Sequence, residues 1–266
     1  MRCAVVGAGA WGTALADLLT RNGHDVQLWA YEPDVVESVN TKHENVRFLS
    51  GHALSAGLHA TGDIKRAVEG AELVTLATPS HVLRPILRSA AKSLVSTAPI
   101  VVASKGIEKG TLALMTEVAE QEIPGATVVA LSGPSFAKEV VTCQPTAVVV
   151  ASTRDEAAEI AQRAFSSPYF RAYTHNDVTG VELGGALKNV MAVATGSAEG
   201  LGLGFNARAA LVTRGLAEMT RLGLALGAEQ STFAGLAGLG DLVLTCTGSL
   251  SRNRAVGVEV GKGRTL

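Results

Sequence analysis

Lys188 stands in the run Glu182-Leu183-Gly184-Gly185-Ala186-Leu187-Lys188-Asn189-Val190-Met191-Ala192, with two glycines one turn before it and an alanine one turn after. Read as a helix, the run gathers Leu183, Leu187 and Val190 on an apolar face and leaves bare backbone beside the ammonium. Two glycines inside a helix cost about 1 kcal/mol each relative to alanine, so they need a reason. Either a substrate or a second domain approaches Lys188 closely, or two helices cross there and the lysine snorkels. A lysine whose pKa is lowered by burial or by a nearby cation can serve as the acid and base of a hydride transfer.

Lys105, in Ser104-Lys105-Gly106, is the candidate for that second cation, and it would also polarise a carbonyl oxygen as negative charge develops on it. Asp241, in Gly238-Leu239-Gly240-Asp241-Leu242, lies in an apolar, glycine-rich setting where a carboxylate needs a partner. A lysine partner and a simple helix cap are both open. Thr245-Cys246-Thr247-Gly248 follows, and then Ser251-Arg252-Asn253-Arg254. A serine, an arginine and an asparagine opening a helix make an anion site by capping logic plus a cation.

The elements that must position these groups begin with a glycine turn. Gly7-Ala8-Gly9-Ala10-Trp11-Gly12 fits G-x-G-x-x-G, follows a predicted strand over Arg2–Val6 and opens a predicted helix over Trp11–Arg21. Gly7 permits the tight turn, Gly9 lets the backbone approach a pyrophosphate, and Gly12 lets helix and strand pack closely. The pyrophosphate then meets the free N–H groups and the dipole of the helix N-terminus. The unit therefore binds NAD or NADP. Glu32 follows Gly12 by about twenty residues, where a carboxylate accepts from the ribose 2′-hydroxyl and repels a 2′-phosphate. Trp29-Ala30-Tyr31-Glu32 contains no Arg or Lys, which leans towards NAD. Tyr31 is read equally as an adenine-stacking or an ordinary surface residue.

Further strands are expected over Val26–Trp29, Leu73–Ala77, Ile100–Ala103, Val128–Leu131 and Thr146–Ala151. Helices are expected over Pro33–Asn40, Val82–Leu94 and Leu112–Gln121. Continuous apolar strands alternating with helices predict a doubly wound, Rossmann-type α/β unit with a parallel sheet covered on both faces. Three strand ends then deliver Thr78-Pro79-Ser80, Ser104-Lys105-Gly106 and Ser132-Gly133-Pro134-Ser135-Phe136-Ala137 to the crevice where such sheets bind ligands. The stretch Asn45–Thr61 is less regular and reads as a connection before a short strand. After Asp177 the pattern becomes helical, over Val178–Glu199 and Ala207–Leu226. The expected division is a dinucleotide-binding domain over 1–177 and an all-helical substrate domain over 178–266, joined by a continuous helix.

Composition sets the limits. Of 266 residues 47% are hydrophobic and 18% charged, which argues against disorder, and the net charge of −1 provides no global basic field for nucleic acid or an anionic membrane. No apolar run reaches the length of a membrane span. Cys3, Cys143 and Cys246 lack any C-x-x-C and read as small hydrophobes in a reducing compartment, so the cytoplasm is expected. The six histidines show no ligand spacing and no metal site emerges. His81, beside the Thr78-Pro79 loop, is the one to watch.

Taken together, these segments resemble the bacterial NAD(P)-dependent glycerol-3-phosphate dehydrogenases. The resemblance rests on Gly7–Gly12 with Trp11, Ser104-Lys105-Gly106-Ile107-Glu108, Leu131-Ser132-Gly133-Pro134-Ser135-Phe136-Ala137, Gly185-Ala186-Leu187-Lys188-Asn189, Gly240-Asp241 and Ser251-Arg252-Asn253, in order along nearly the whole chain. It implies reversible reduction of dihydroxyacetone phosphate to sn-glycerol 3-phosphate, the backbone precursor of phospholipids. It makes Lys188 the proton acceptor and places Lys105 against both cofactor and substrate, while Gly133, Ser135, Asp241, Ser251, Arg252 and Asn253 would line the substrate. Asp241 is also a candidate for the catalytic group with Lys188 and Lys105, and Asn189 and Thr245 are further candidates for substrate binding. Ala10, Trp11, Tyr31 and Ala137, with Arg252, would contact the dinucleotide beside Gly7, Gly9, Gly12 and Glu32. Family members often carry a basic residue at the position of Tyr31, and their chains run past the equivalent of Leu266. The helical domain is accordingly expected to be incomplete relative to the family, as a fragment or a deletion. A homodimer is left open. Two other readings compete: a β-hydroxyacid-type dehydrogenase acting through Lys188 and Asn189 on a carboxylate, and a non-catalytic dinucleotide sensor. The Ser251-Arg252-Asn253 anion site stands against the first, and the intact Lys105, Lys188 and Asp241 against the second.

Overall fold

A computed structural model describes residues 1–94 and 97–265, which divide into two compact units. The first comprises Met1–Leu131 and Ser135–Asn176; the second comprises Ser132–Pro134 and the chain from Asp177 onward.

In the first unit strands and helices alternate. They are β1 (Arg2–Val6), α1 (Ala10–Arg21), β2 (Asp25–Trp29), α2 (Pro33–Lys42), β3 (His59–Thr61), α3 (Ile64–Val68), β4 (Leu73–Leu76) and α4 (Ser80–Ala90). The series continues with β5 (Ile100–Val102), α5 (Met115–Glu122), β6 (Val128–Ser132), α6 (Ala137–Val141), β7 (Thr146–Ala151), α7 (Asp155–Phe165) and β8 (Phe170–His175). The eight strands form one sheet in the order β3-β2-β1-β4-β5-β6-β7-β8. Its first six positions are the doubly wound 3-2-1-4-5-6 order, with a reversal beside β1.

Side-chain alternation explains why both faces are covered. On β1, Cys3 and Val5 enter one core with α1, α2, α6 and α7, while Ala4 and Val6 enter the other with α3, α4 and α5. A strand buried on both sides has no polar face, which is why these strands read as unbroken apolar runs.

Three expectations need correction. The sheet is not parallel throughout: β1–β2, β1–β4, β2–β3, β4–β5, β5–β6 and β7–β8 are parallel. The Ser152 hydroxyl, however, donates to the Val128 carbonyl at 2.7 Å and Arg154 Nη1 donates to Thr127 Oγ1 at 3.0 Å. The end of β7 thus lies beside the start of β6, and the two run in opposite senses. Second, β8 is absent from the expected strands. It is an edge strand in which Phe170 and Ala172 are buried while Arg171 and Tyr173 are exposed. The anticipated continuous helix between the units is also replaced, by a strand end, Asn176, and a helix cap at Asp177.

The second unit is helical: α8 (Val178–Gly200), α9 (Phe205–Ala225), α10 (Gln230–Ala234), a π-helical turn (Leu236–Gly240), α11 (Asp241–Thr247) and α12 (Arg252–Gly261). Asp177 caps α8, accepting from Gly180 N at 2.8 Å, and its other oxygen accepts from Glu229 N at 2.8 Å and Thr232 Oγ1 at 2.5 Å. One carboxylate therefore fixes both the start of α8 and the start of α10. The helices α8 and α12 touch through backbone. A Cβ on Gly196 would overlap the Arg254 carbonyl oxygen, and one on Gly257 would overlap the Val193 carbonyl oxygen.

The loop after β5 is held by an ion network. Arg84 binds Glu108 with Nε at 2.8 Å and Nη2 at 2.7 Å, and its Nη1 reaches Glu122 at 2.6 Å. Arg88 completes the cluster on Glu122 at 2.8 Å, so α4, α5 and the 104–114 loop are tied at one point. Hydrogen bonds from Arg84 and Thr111 hold the Glu108 carboxyl down to about 2 from its ordinary 4.5.

Two predictions follow from this packing. Gly257→Ala should lower stability by about 1–3 kcal/mol, because a backbone carbonyl cannot step aside as a side chain can; a thermal melt within 1 °C of the parent would refute the close approach. For Glu108, a depressed folded pKa means stability that is present above about pH 4.5 and lost as pH falls towards about 2. The stability gap between parent and Glu108→Gln should therefore be largest near neutrality and shrink through that window. Melting both proteins across the pH series checks it, and a constant gap would rule the ion pair out as its origin.

Candidate active site

The glycine turn of the first unit has the form expected of it. Gly7 has φ of 113° and its N–H donates to the Trp29 carbonyl at 3.1 Å, tying the end of β1 to β2. A Cβ on Gly12 would overlap the Gly7 carbonyl oxygen, whereas one on Gly9 would meet nothing within 4 Å. Gly7 and Gly12 are thus required by the chain itself, and Gly9 borders open space at the start of α1. Ala10 and Trp11 begin that helix and pack partly against the first core. These are the features a pyrophosphate needs: bare backbone, unpaired helix N–H groups and no acidic residue in the first turn.

Around the turn, Tyr31 is 81% exposed after β2. Glu32 is the N-cap of α2, and its side chain makes no capping bond with the helix. Ala137 opens α6 and leans on the same core as Trp11. Lys105 is half-buried after β5. Its neighbour Ser104 donates to the Thr78 carbonyl at 2.7 Å, joining the β4 and β5 loops. A Cβ on Gly106 would stand 2.7 Å from Ser80 Oγ, so that position needs glycine both for space and for its φ of 151°. Ser135 is half-buried in the loop after β6. His81 is exposed on α4 and takes part in none of this.

In the second unit Lys188 and Asp241 meet. The Lys188 ammonium donates to Asp241 Oδ1, with side-chain exposures of 10% and 1%. Asp241 arrives there because the π-helical turn runs directly into α11, and it is the first residue after that turn. The Thr245 hydroxyl, one turn later, donates to the Asp241 carbonyl at 2.7 Å. Asn253 Nδ2 donates to Asn189 Oδ1 at 2.8 Å, joining the residue after Lys188 to the start of α12. Ser251 caps α12 by accepting from Arg254 N at 3.3 Å, and Arg252, the first helical residue, is exposed. Gly133, with φ of 145°, lies in the Ser132–Pro134 segment that belongs to this unit.

The reading of α8 is corrected here. Its buried face runs through Gly184, Lys188, Ala192 and Thr195, while Val190, expected on the apolar face with Leu183 and Leu187, is 62% exposed. Gly184 does not open a path for a ligand. A Cβ there would overlap the Ala237 carbonyl oxygen, so the glycine admits the π-helical turn that carries Asp241.

Sequence reasoning missed three supports. Asn45 and Thr13 are buried beneath the glycine turn, Asp177 links α8 to α10, and Arg84 anchors Glu108. Only Thr13 and Arg84 carried a local signal, a polar residue inside an apolar stretch; Asn45 and Asp177 lie in polar loops. Of the cysteines, Cys3 and Cys246 are buried, and burial pushes the Cys3 thiol up to about 12. Among the described residues no group of three or more His, Cys, Asp or Glu could hold a metal ion, and no helix is long and apolar enough to cross a membrane.

Comparison with known proteins places these features in a family. Residues 2–158 match the family model of the NAD-dependent glycerol-3-phosphate dehydrogenase N-terminus, and residues 177–266 match that of its C-terminus. Similar proteins include glycerol-3-phosphate dehydrogenase (NAD(P)+) of Geobacter sp. strain M21, 54% identical across the whole chain and 80% of that protein. The Myxococcus xanthus enzyme of the same name is 53% identical, again over the whole chain and 80% of its own length. The crystal structure of glycerol-3-phosphate dehydrogenase from Coxiella burnetii superposes with a TM-score of 0.95 at 41% identity, covering 99% of this chain and 81% of that one. The enzyme from Saccharomyces cerevisiae gives 0.86 at 30% identity, covering 99% and 82%. With both halves matched in order and relatives more than half identical, the chain belongs to the NAD(P)-dependent glycerol-3-phosphate dehydrogenase family.

Proposed function

We propose that the chain interconverts dihydroxyacetone phosphate and sn-glycerol 3-phosphate, with Lys188 as the proton-transferring group. The observation that carries this reading is the buried Lys188–Asp241 pair, in a chain whose family is settled. A nicotinamide cofactor, when bound, supplies or accepts the hydride. The residues of the chain do the rest. In the reducing direction the Lys188 ammonium gives its proton to the oxygen on which negative charge develops; in the oxidising direction the amine takes it back. Asp241 keeps the side chain in one place and balances its charge within an apolar surrounding. Asn189, Thr245, Ser251, Arg252 and Asn253, with Gly133 and Ser135, form the proposed substrate set, in which Arg252 supplies a planar cation suited to a phosphate. Lys105 is assigned to both substrate and cofactor.

For the cofactor, Gly7, Gly9, Ala10, Trp11, Gly12, Tyr31, Glu32, Ala137 and Arg252 are proposed as contacts, and NAD as the preferred form. Support for NAD comes from the Glu32 carboxylate, which does not cap α2, and from the absence of Arg or Lys over residues 29–32. The product makes the chain a supplier of the phospholipid backbone, and three free cysteines fit a reducing cytoplasm. The substrate domain is proposed to be the helical stretch from residue 178.

Following NADH and NADPH absorbance with dihydroxyacetone phosphate tests the activity. Oxidation of neither cofactor by the folded protein would refute it, and tighter binding of NADPH than of NADH would refute the cofactor preference. Lys188→Ala is a poor probe alone, because it strands a buried carboxylate and should destabilise by about 3–5 kcal/mol. Lys188→Arg keeps the positive charge, but its guanidinium does not give up a proton at working pH. Its kcat should fall about 10²–10⁴-fold with the fold intact. Near-parental kcat in this variant would remove Lys188 from proton transfer.

A further inference from the structure

We infer that Asn45 is a positioning residue for the cofactor: it fixes the Ala8–Gly9 peptide so that the Gly9 N–H faces the dinucleotide pyrophosphate. The inference rests on the dinucleotide reading of the glycine turn. Asn45 lies between α2 and β3, in a stretch with little regular structure, yet it is fully buried, as is Thr13 of α1. Its Nδ2 donates to the Ala8 carbonyl at 2.8 Å and to Thr13 Oγ1 at 2.8 Å. Thr13 Oγ1 donates in turn to the same Ala8 carbonyl at 3.2 Å. The remaining oxygen, Oδ1, accepts from Phe48 N at 3.0 Å. A backbone N–H can only donate, so this last bond fixes which end of the carboxamide is which.

The consequence lies in the peptide plane. The described chain has no cis bond, and in a trans peptide the C=O of one residue and the N–H of the next point in opposite directions. Two side-chain donors hold the Ala8 carbonyl inward. The Gly9 N–H is thereby turned outward, at the glycine that borders open space and caps α1. A glycine-flanked peptide would otherwise rotate easily, since glycine tolerates most of φ/ψ space. A buried asparagine in place of an apolar residue is thus explained by the orientation it imposes on a neighbouring peptide, as well as by anchoring its own loop.

The test uses Asn45→Asp, which keeps shape but removes both N–H donors and sets an acceptor against the Ala8 carbonyl. Binding of NADH, ADP-ribose and adenosine is measured by calorimetry or competition, with a thermal melt of the ligand-free protein. The expected result is at least tenfold weaker binding of NADH and ADP-ribose, which carry the pyrophosphate, with adenosine binding within twofold of the parent. The KM for the dinucleotide should rise by a similar factor while that for dihydroxyacetone phosphate stays within twofold. A folded variant that binds ADP-ribose like the parent overturns the proposal, and so does equal weakening of adenosine, which would mean a general collapse of the loop. Should Asn45→Asp fail to fold, Thr13→Val takes its place: it removes one of the two donors, and at least threefold weaker ADP-ribose binding is expected. Parental binding in that variant would overturn the proposal. A parent protein that binds neither NADH nor ADP-ribose would instead overturn the dinucleotide reading, and this inference with it.

Discussion

The second unit is organised around one electrostatic requirement: an ammonium taken out of water needs an anion beside it. Lys188 is buried on the inner face of α8, and Asp241 is the carboxylate that answers it. The surrounding architecture is what brings the two together. Gly184 removes the side chain that would keep the π-helical turn away, and the turn runs into α11 at Asp241. Removing the charge pair would leave no reason for an irregular turn at that point. A helix of ordinary pitch through residues 236–247 would carry the carboxylate around the axis and away from Lys188.

The same economy of space recurs in both units. Gly12 meets the Gly7 carbonyl, Gly184 meets the Ala237 carbonyl, and Gly196 and Gly257 each meet a carbonyl of the opposite helix. Each contact replaces a side-chain layer by backbone against backbone, so the distance is set by the chain's own atoms and cannot relax by changing a rotamer. That is a suitable way to hold groups that must be correct to a fraction of an ångström. It also explains part of the chain's complement of 29 glycines. The structure accounts for several of them as spacers, although others, such as Gly23 and Gly51 with φ of 85° and 79°, simply serve turns.

Most of the fold was legible in the sequence because burial on two faces leaves an unmistakable apolar run, and because the glycine turn sits between a strand and a helix as its chemistry demands. The exceptions have physical causes. Strand β8 escaped because its exposed Arg171 and Tyr173 interrupt the apolar run, although the alternation with Phe170 and Ala172 carried the signal. Val190 was placed inward because its hydrophobicity outweighed the glycines, whereas close backbone packing reversed the order and buried the small residues. At the site, Lys188, Asp241, Asn189, Asn253 and Ser251 were all picked out from the sequence, and their contacts join them in two pairs and a cap. What could not be read was partnership over long separations. Asn45 with Ala8, and Asp177 with Thr232, join positions 37 and 55 residues apart, and no local pattern encodes such a bond.

With a net charge of −1, any attraction for anionic ligands must be built locally. Helices α2, α5, α6 and α7 carry an acidic residue in their first turn, which neutralises the positive end. Helices α1 and α12 do not, but neither do α4 and α9, so an uncompensated helix end is insufficient as a criterion. What separates α1 is the glycine beside open space, with its peptide turned by buried donors. What separates α12 is an exposed arginine at its first position and an asparagine tied back to the residue after Lys188. The two ends therefore suit different tasks. Bare backbone donors at α1 fit a ligand recognised by shape and held close to the chain. An exposed guanidinium at α12 offers instead a charged side chain that reaches into solvent.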